Sequence, residues 1–292
     1  MDTVLQLNRH FRESGSDIQV IGVPKTIDND LPITDHTPGF GSAAKYLYHT
    51  VSEIIRDSEI YPVRNVIIVE IMGRNSGWLT LAAGLSRFLK GGPPQIIAIP
   101  EIPFDEYGFI DEIRELLKTE RTVVCVVSEG IRDKSGEYIG RETKSGRVDT
   151  FGHTYLSGVG KYLEYLVMEK IGCKVRSIEL NVMQRCSSHL AAQADLDEAF
   201  QVGSAAVQHA LAGESGITLV FHRLSDNPYQ IEIGVTGVEN IANLAKFVPE
   251  RWFDFSDKTV QEEIISYLLP LIQGDPNPIR DKTGLPIYID IH

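Results

Sequence analysis

Cysteine is scarce in this chain of 292 residues. Three are present, Cys125, Cys173 and Cys186, with no CxxC spacing. An odd count without metal-type spacing argues against a disulfide framework and against a structural zinc site. Cys125 lies in the apolar run Thr122–Val127, where it reads as a small buried hydrophobe. No apolar run approaches the roughly 18 residues of a membrane span. The start, MDTVLQLNRHF, has no signal-peptide core. The expectation from these absences is a cytoplasmic protein. Positive charge is also in deficit, with 28 Lys and Arg against 40 Asp and Glu and a net charge of -12. Such a balance argues against nucleic acid or an anionic membrane as the main partner. A small anionic substrate stays open, because a few arginines can reverse the field inside a cleft. There is no internal repeat and no low-complexity segment.

What is present is a chain with 42% apolar residues, enough for one large domain or two lobes. Strand-like runs occur at Ile18–Val23, Val66–Ile71, Gln95–Ile99, Val123–Val127, Val175–Leu180 and Ile217–Phe221. Helix-like stretches alternate with them: Val4–Phe11, Ala43–Ile55, Trp78–Phe88, Ile110–Leu117, Tyr162–Lys170 and Ala194–Leu211. The alternation predicts parallel βαβ units in a doubly wound α/β protein. The chain opens on a helix with no strand before it. Since a βαβ helix covers the strand that precedes it, the expectation is an unusual start or a truncated sequence.

Polar segments recur where strands end, which is where open α/β sheets bind ligands. Pro24-Lys25-Thr26-Ile27-Asp28-Asn29-Asp30 follows the first run. In an extended loop Thr26, Asp28 and Asp30 would share one side. A hydroxyl and two carboxylates around one point suit deprotonation of an attacking alcohol in phosphoryl transfer. A plain Asp/Asn-rich turn is the other reading. Gly39-Phe40-Gly41-Ser42 opens the helix Ala43–Ile55 and offers an anion its N-terminus, or else Ser42 is an ordinary cap. Glu70-Ile71-Met72-Gly73-Arg74-Asn75-Ser76-Gly77-Trp78 forms a strand-to-helix turn, with Arg74 placed to grip a phosphate and Trp78 as a core anchor. Glu101 and Glu129 follow two further strands, where each could hold a sugar hydroxyl or be a solvated loop residue. Arg176 and the Gln184-Arg185 pair could clamp a second phosphate, or form surface ion pairs.

In their order and spacing PKTIDND, DHTPGFGSA, EIMGRNSGW, the PE and SEG loops and VRS…QR resemble the phosphofructokinase family. The resemblance runs from about Met1 to Gly216 and on toward the C-terminus. It implies a two-lobed α/β fold with mostly parallel sheets flanked by helices, and Mg2+-dependent phosphorylation of the 1-hydroxyl of fructose 6-phosphate. The donor-side lobe would comprise residues 1–39 and about 184–240. The sugar-phosphate-side lobe would comprise 40–183 and about 241–292.

By the same resemblance Asp28 is the general base and Thr26 contacts the transferring phosphoryl group. Asp30 orders magnesium or the loop, and Ile27 lines the substrate. Met72, Gly73 and Arg74 line the sugar and phosphoryl site, and Glu129 holds sugar hydroxyls. Arg185, with Gln184 beside it, meets the 6-phosphate, and Arg176 reaches that phosphate from a neighbouring subunit in a homo-oligomer, a dimer or tetramer. Lys25 and the DHTPGFGSA wording resemble the pyrophosphate-dependent branch. ATP-using bacterial members usually carry glycine at the position of Lys25, yet some carry lysine, so an ATP-dependent kinase is the alternative. A non-catalytic sugar-phosphate-binding subunit is the third reading.

Three departures accompany the resemblance. The family's GGxDS-type donor loop would precede Met1, so about a hundred residues are expected to be absent. With them would go the main metal ligand, so the full-length parent is expected to be active and this chain alone inactive. Asn65 stands where the family has a trans-acting arginine, with Arg64 one place earlier. Val182 stands where a histidine or tyrosine is common near the 6-phosphate.

Overall fold

The computed structural model describes residues 1–60, 62–140 and 158–288. The sequence-expected 40–183 and 241–292 segments run partly through 141–157 and 289–292, which lie outside them.

Two sheets organise the chain. The larger has the order β3-β4-β2-β5 and is parallel throughout: β2 (Asn65–Ile71), β3 (Ile96–Ala98), β4 (Thr122–Ser128) and β5 (Lys174–Glu179). Every residue of β2 and β4 is buried. That explains their near-continuous apolar reading, since a parallel sheet is covered on both faces. Ile67, Val69 and Ile71 point to one face. There they pack with α2 (Phe40–Glu59), α3 (Trp78–Ala83), α4 (Leu85–Lys90) and α9 (Lys258–Leu271). Val66 and Ile68 point to the other face, under α5 (Glu106–Thr119) and α6 (Val159–Ile171). Cys125 is fully buried in that second layer and all three cysteines are free.

The smaller sheet joins β1 (Ile21–Gly22), β6 (Ile217–Asp226) and β7 (Tyr229–Gly237) in the order β1-β6-β7. β1 and β6 are parallel, and β7 returns antiparallel. α8 (Gln193–Leu211) lays Val202 and Ala206 on Leu219 and Phe221 of β6. α1 (Asp2–Glu13) buries Asn8 beside Gly216, and α7 (Met183–Cys186) is a single turn.

The structure differs from the sequence reading in three places. The helix expected over Trp78–Phe88 is broken at Gly84 into α3 and α4, glycine being a poor helix former. β6 runs on to Asp226 and turns back as β7, whose Ile231, Ile233 and Val235 alternate with Gln230, Glu232 and Gly234. α9 is an unanticipated helix, with Val260, Ile264, Leu268 and Leu271 buried on one stripe. Among the described residues no helix is long and apolar enough to cross a membrane.

Gly41 explains why α2 can lie against α9. A Cβ there would stand 2.5 Å from the Leu271 carbonyl oxygen and 3.2 Å from the Asp195 Cβ. The close approach that this glycine allows is that of the protein's own backbone. Gly41→Ala should therefore lower stability by about 1–3 kcal/mol. Urea melts of the two proteins check this, and coincident curves would contradict it.

Candidate active site

The loop after β1 is not extended. Thr37 Oγ1 donates to the Thr26 carbonyl at 2.7 Å, the Asp28 amide donates to Thr26 Oγ1 at 3.1 Å, and Asn29 is left-handed at φ 56°. Thr26, Asp28 and Asp30 are therefore not aligned by a two-residue period, as an extended loop would require. A folded turn gathers them instead, and Asn29 between the two carboxylates is fully buried. Thr26 accepts through its hydroxyl oxygen here, so its hydroxyl hydrogen remains available to donate.

The turn after β2 meets this loop. Ser76 Oγ donates to the Asp28 carbonyl at 3.2 Å. The Gly73 amide donates to Glu129 Oε1 at 3.3 Å, and Arg74 Nε stands 3.8 Å from the same oxygen. Gly130 permits the approach of the two strand ends: a Cβ there would lie 2.1 Å from the Arg74 carbonyl oxygen. Asp28, Arg74 and Glu129 thus converge at the carboxyl ends of β2 and β4.

Within this cluster Asp28 is the carboxylate most strongly perturbed. Burial first, then the charges of Asp30 and Glu129, raise its pKa from 3.8 to about 6, while Arg74 and Lys25 oppose the rise. Asp30 and Glu129 are raised as well, chiefly by burial. A half-buried carboxylate held among like charges is the environment that tunes a general base.

Beside this cluster lies a cavity of about 410 Å³ whose walls include Lys25, Ile27, Tyr46, Arg185 and Asp195. Lys25 and Arg185 have no ion-pair partner among the described residues, although the chain carries a net charge of -12. Unpaired cations in an acidic protein make a local anion trap.

Other sequence-chosen residues stand differently. Gln184 is buried, with Oε1 accepting from the Met72 amide at 3.0 Å and Nε2 donating to the Asn181 carbonyl at 3.2 Å. Its side chain is committed to holding the Met72 turn, which argues for positioning instead of substrate contact. Val182 is exposed at the start of α7. Arg176 is exposed and pairs with Ile67, roughly 13 Å short of the strand ends, so it does not join the cluster of its own chain. Asn65, at the amino end of β2, spends its amide on Val63 and Thr122. Glu101 Oε1 accepts from the Gly77 and Val248 amides and so braces the turn.

The N-terminus of α2 is not open to a bound anion. Asp195 of α8 accepts from the Gly39 and Ser42 amides at 2.7 and 3.0 Å and from Ser42 Oγ at 2.5 Å. The protein supplies its own carboxylate to the helix dipole. Asp195 carries no local signature in the sequence, nor does Lys246, whose ammonium donates to Asn29 Oδ1. Trp78 is the core anchor expected, edge-to-face with Trp252 and tilted against Tyr267.

The family model for phosphofructokinase matches residues 1–210. The chain belongs to the phosphofructokinase family. It is 38% identical over 292 residues to a pyrophosphate--fructose 6-phosphate 1-phosphotransferase of Xanthomonas campestris, covering 99% of this chain and 69% of that protein. A relative of the same description from Halomonas elongata is 36% identical over 287 residues, 98% of this chain and 68% of that one. The crystal structure of a pyrophosphate-dependent phosphofructokinase from Marinobacter aquaeolei superposes with a TM-score of 0.82 at 30% identity, over all of this chain and 71% of that one. These are phosphofructokinases, so the two-sheet α/β architecture described above is the family's fold and the chain is that of an enzyme family.

At pH 7 the cluster keeps Asp28 ionised at a cost to the fold. Because its folded pKa is raised, the destabilisation is present above pH 6 and gone below about pH 4. Asp28→Asn should raise stability at pH 7 by roughly 1–3 kcal/mol and leave it unchanged at pH 4. Thermal melts at both pH values check this, and an equal shift at both would contradict it.

Proposed function

We propose that the protein transfers a phosphoryl group from pyrophosphate to the 1-hydroxyl of fructose 6-phosphate, giving fructose 1,6-bisphosphate and phosphate. The observation that carries the reading is Asp28, a carboxylate tuned to about 6 among Asp30, Glu129 and Arg74. Asp28 accepts the proton of the 1-hydroxyl while that oxygen attacks the terminal phosphorus. The bridging P–O bond breaks and phosphate leaves. Arg74 and Lys25 offset negative charge on the transferring and leaving groups, and the Thr26 hydroxyl donates to the transferring group. Glu129 Oε2, which has no partner among the described residues, takes sugar hydroxyls. Arg185 takes the 6-phosphate, and Met72, Gly73 and Ile27 shape the walls. Gln184 contributes by fixing Met72. Arg176 serves the same phosphate in a neighbouring copy of a homo-oligomer.

Among the described residues no group of three or more His, Cys, Asp or Glu side chains could hold a metal ion. The loop instead offers Asp30, one hard oxygen donor of the one or two that Mg2+ takes from a protein when phosphates and water complete its shell, and leaves Asp28 to the proton. When bound, Mg2+ would neutralise charge on the pyrophosphate oxygens. A cytoplasmic location accompanies this reading.

Two results test it. Asp28→Asn should lower kcat by about a hundredfold or more with little change in KM, as loss of a general base does. An undiminished kcat would overturn the assignment. Assays with pyrophosphate and with ATP separate the donors: the account expects turnover with pyrophosphate, and turnover with ATP alone would contradict it.

A further inference from the structure

Lys246 lies in the segment after β7, more than 200 residues from the loop it grips. Its ammonium donates to three acceptors of that loop: Asn29 Oδ1 at 3.0 Å, the Thr34 carbonyl at 3.2 Å and the Asp35 carbonyl at 2.6 Å. Three donors meet three acceptors, so the group is saturated. Its backbone amide donates to the Asp30 carbonyl at 2.7 Å. Asn29 is held from its other end too, since its Nδ2 donates to Tyr267 Oη at 2.8 Å and Tyr267 Oη donates to the Asp35 carbonyl at 2.7 Å. Asn29 thus sits left-handed, fully buried and fixed at both side-chain atoms, between the two carboxylates of the loop.

The same segment also reaches the arginine turn. The Lys246 carbonyl accepts from Trp78 Nε1 at 3.2 Å, and two residues on the Val248 amide donates to Glu101 Oε1, which also accepts from the Gly77 amide. The ammonium lies 5.0 Å from the centre of the Trp78 ring, and the charges around it are Asp30, Asp35 and Arg223.

From this double grip we infer that Lys246 is a positioning residue: it sets the Asp28 loop in register with the Arg74 turn, acting through Asn29 and without touching substrate. The inference rests on the phosphotransferase reading for its kinetic consequence. A loop that loses three buried hydrogen bonds and a buried charge would still offer Arg185, Arg74 and Glu129 to the ground state. It would place the base poorly in the transition state, where small displacements weigh most.

The test is Lys246→Met, which keeps the length of the stem and removes the charge. The expected result is a kcat at least tenfold lower, KM for fructose 6-phosphate and for pyrophosphate within threefold, and amide hydrogen exchange over residues 27–35 at least tenfold faster while β2 is unchanged. A folded variant with kcat within twofold of the parent, a loss carried by KM alone, or unaltered loop exchange would overturn the inference. Should Lys246→Met not fold, Tyr267→Phe removes a single oxygen from the same clamp. It should lower kcat about threefold or more at constant KM and speed exchange over 27–35, and parent-like values would overturn the inference. A parent protein without pyrophosphate-dependent turnover would sink the functional reading, and loop exchange would still decide the positioning role.

Discussion

Like charges held close together are the constraint on which this structure turns. Asp28, Asp30 and Glu129 share one end of two sheets, and burial deepens their mutual repulsion. Left free, the loop would open and let water separate the carboxylates. It does not open because its backbone is bonded at several points to neighbouring segments: Ser76 in the Arg74 turn, Thr37 across the loop, and Lys246 after β7. The cations stay off the carboxylates. Arg74 approaches Glu129 at 3.8 Å without closing to a bidentate pair. A fully neutralised cluster would have carboxylates too acidic to accept a proton at neutral pH.

Beneath the loop lies a second polar network that is satisfied in full. His36 is buried between Asp35 at 2.8 Å and Glu198 at 2.7 Å, and it stacks on Phe221. Burial lowers its pKa, but the two carboxylates more than compensate and hold it raised. Arg223 donates to Asp35, and Tyr229 donates to Glu198 at 2.6 Å. Such a network has little tolerance for loss of a member, since a buried charge would be left unpaired. The two clusters differ: the carboxylates around His36 are paired at bonding distance, and those around Asp28 have, among the described residues, no cation closer than Arg74 at 3.8 Å from Glu129.

Local signals carried much of this into the sequence. Strand and helix alternation was legible because β2 and β4 are covered on both faces and read as apolar runs, and the motifs at their ends fell where parallel sheets open to ligands. That rule offered the grouping of Asp28 with Arg74 and Glu129 as one reading among others, and the resemblance supplied their roles. What escaped was set by tertiary contact. The loop folds because Asn29 is gripped by Lys246 and Tyr267, residues with no local mark. The N-terminus of α2, legible as an anion site, is filled by Asp195 from α8. Gln184 looked like a ligand by its neighbour Arg185, yet its amide braces Met72. β7 and α9 have visible periods, of two in Ile231, Ile233 and Val235 and of four in Val260, Ile264 and Leu268, so both were legible without any tertiary contact.

The proton affinity of Asp28 is the most exposed point of the account, and the pH dependence of kcat/KM measures it. With pyrophosphate and fructose 6-phosphate the acid limb should fall with a midpoint near 6, because activity needs the ionised carboxylate and burial beside Asp30 and Glu129 makes ionisation harder. A limb falling at the ordinary aspartate value near 4, or no acid limb at all, would contradict it.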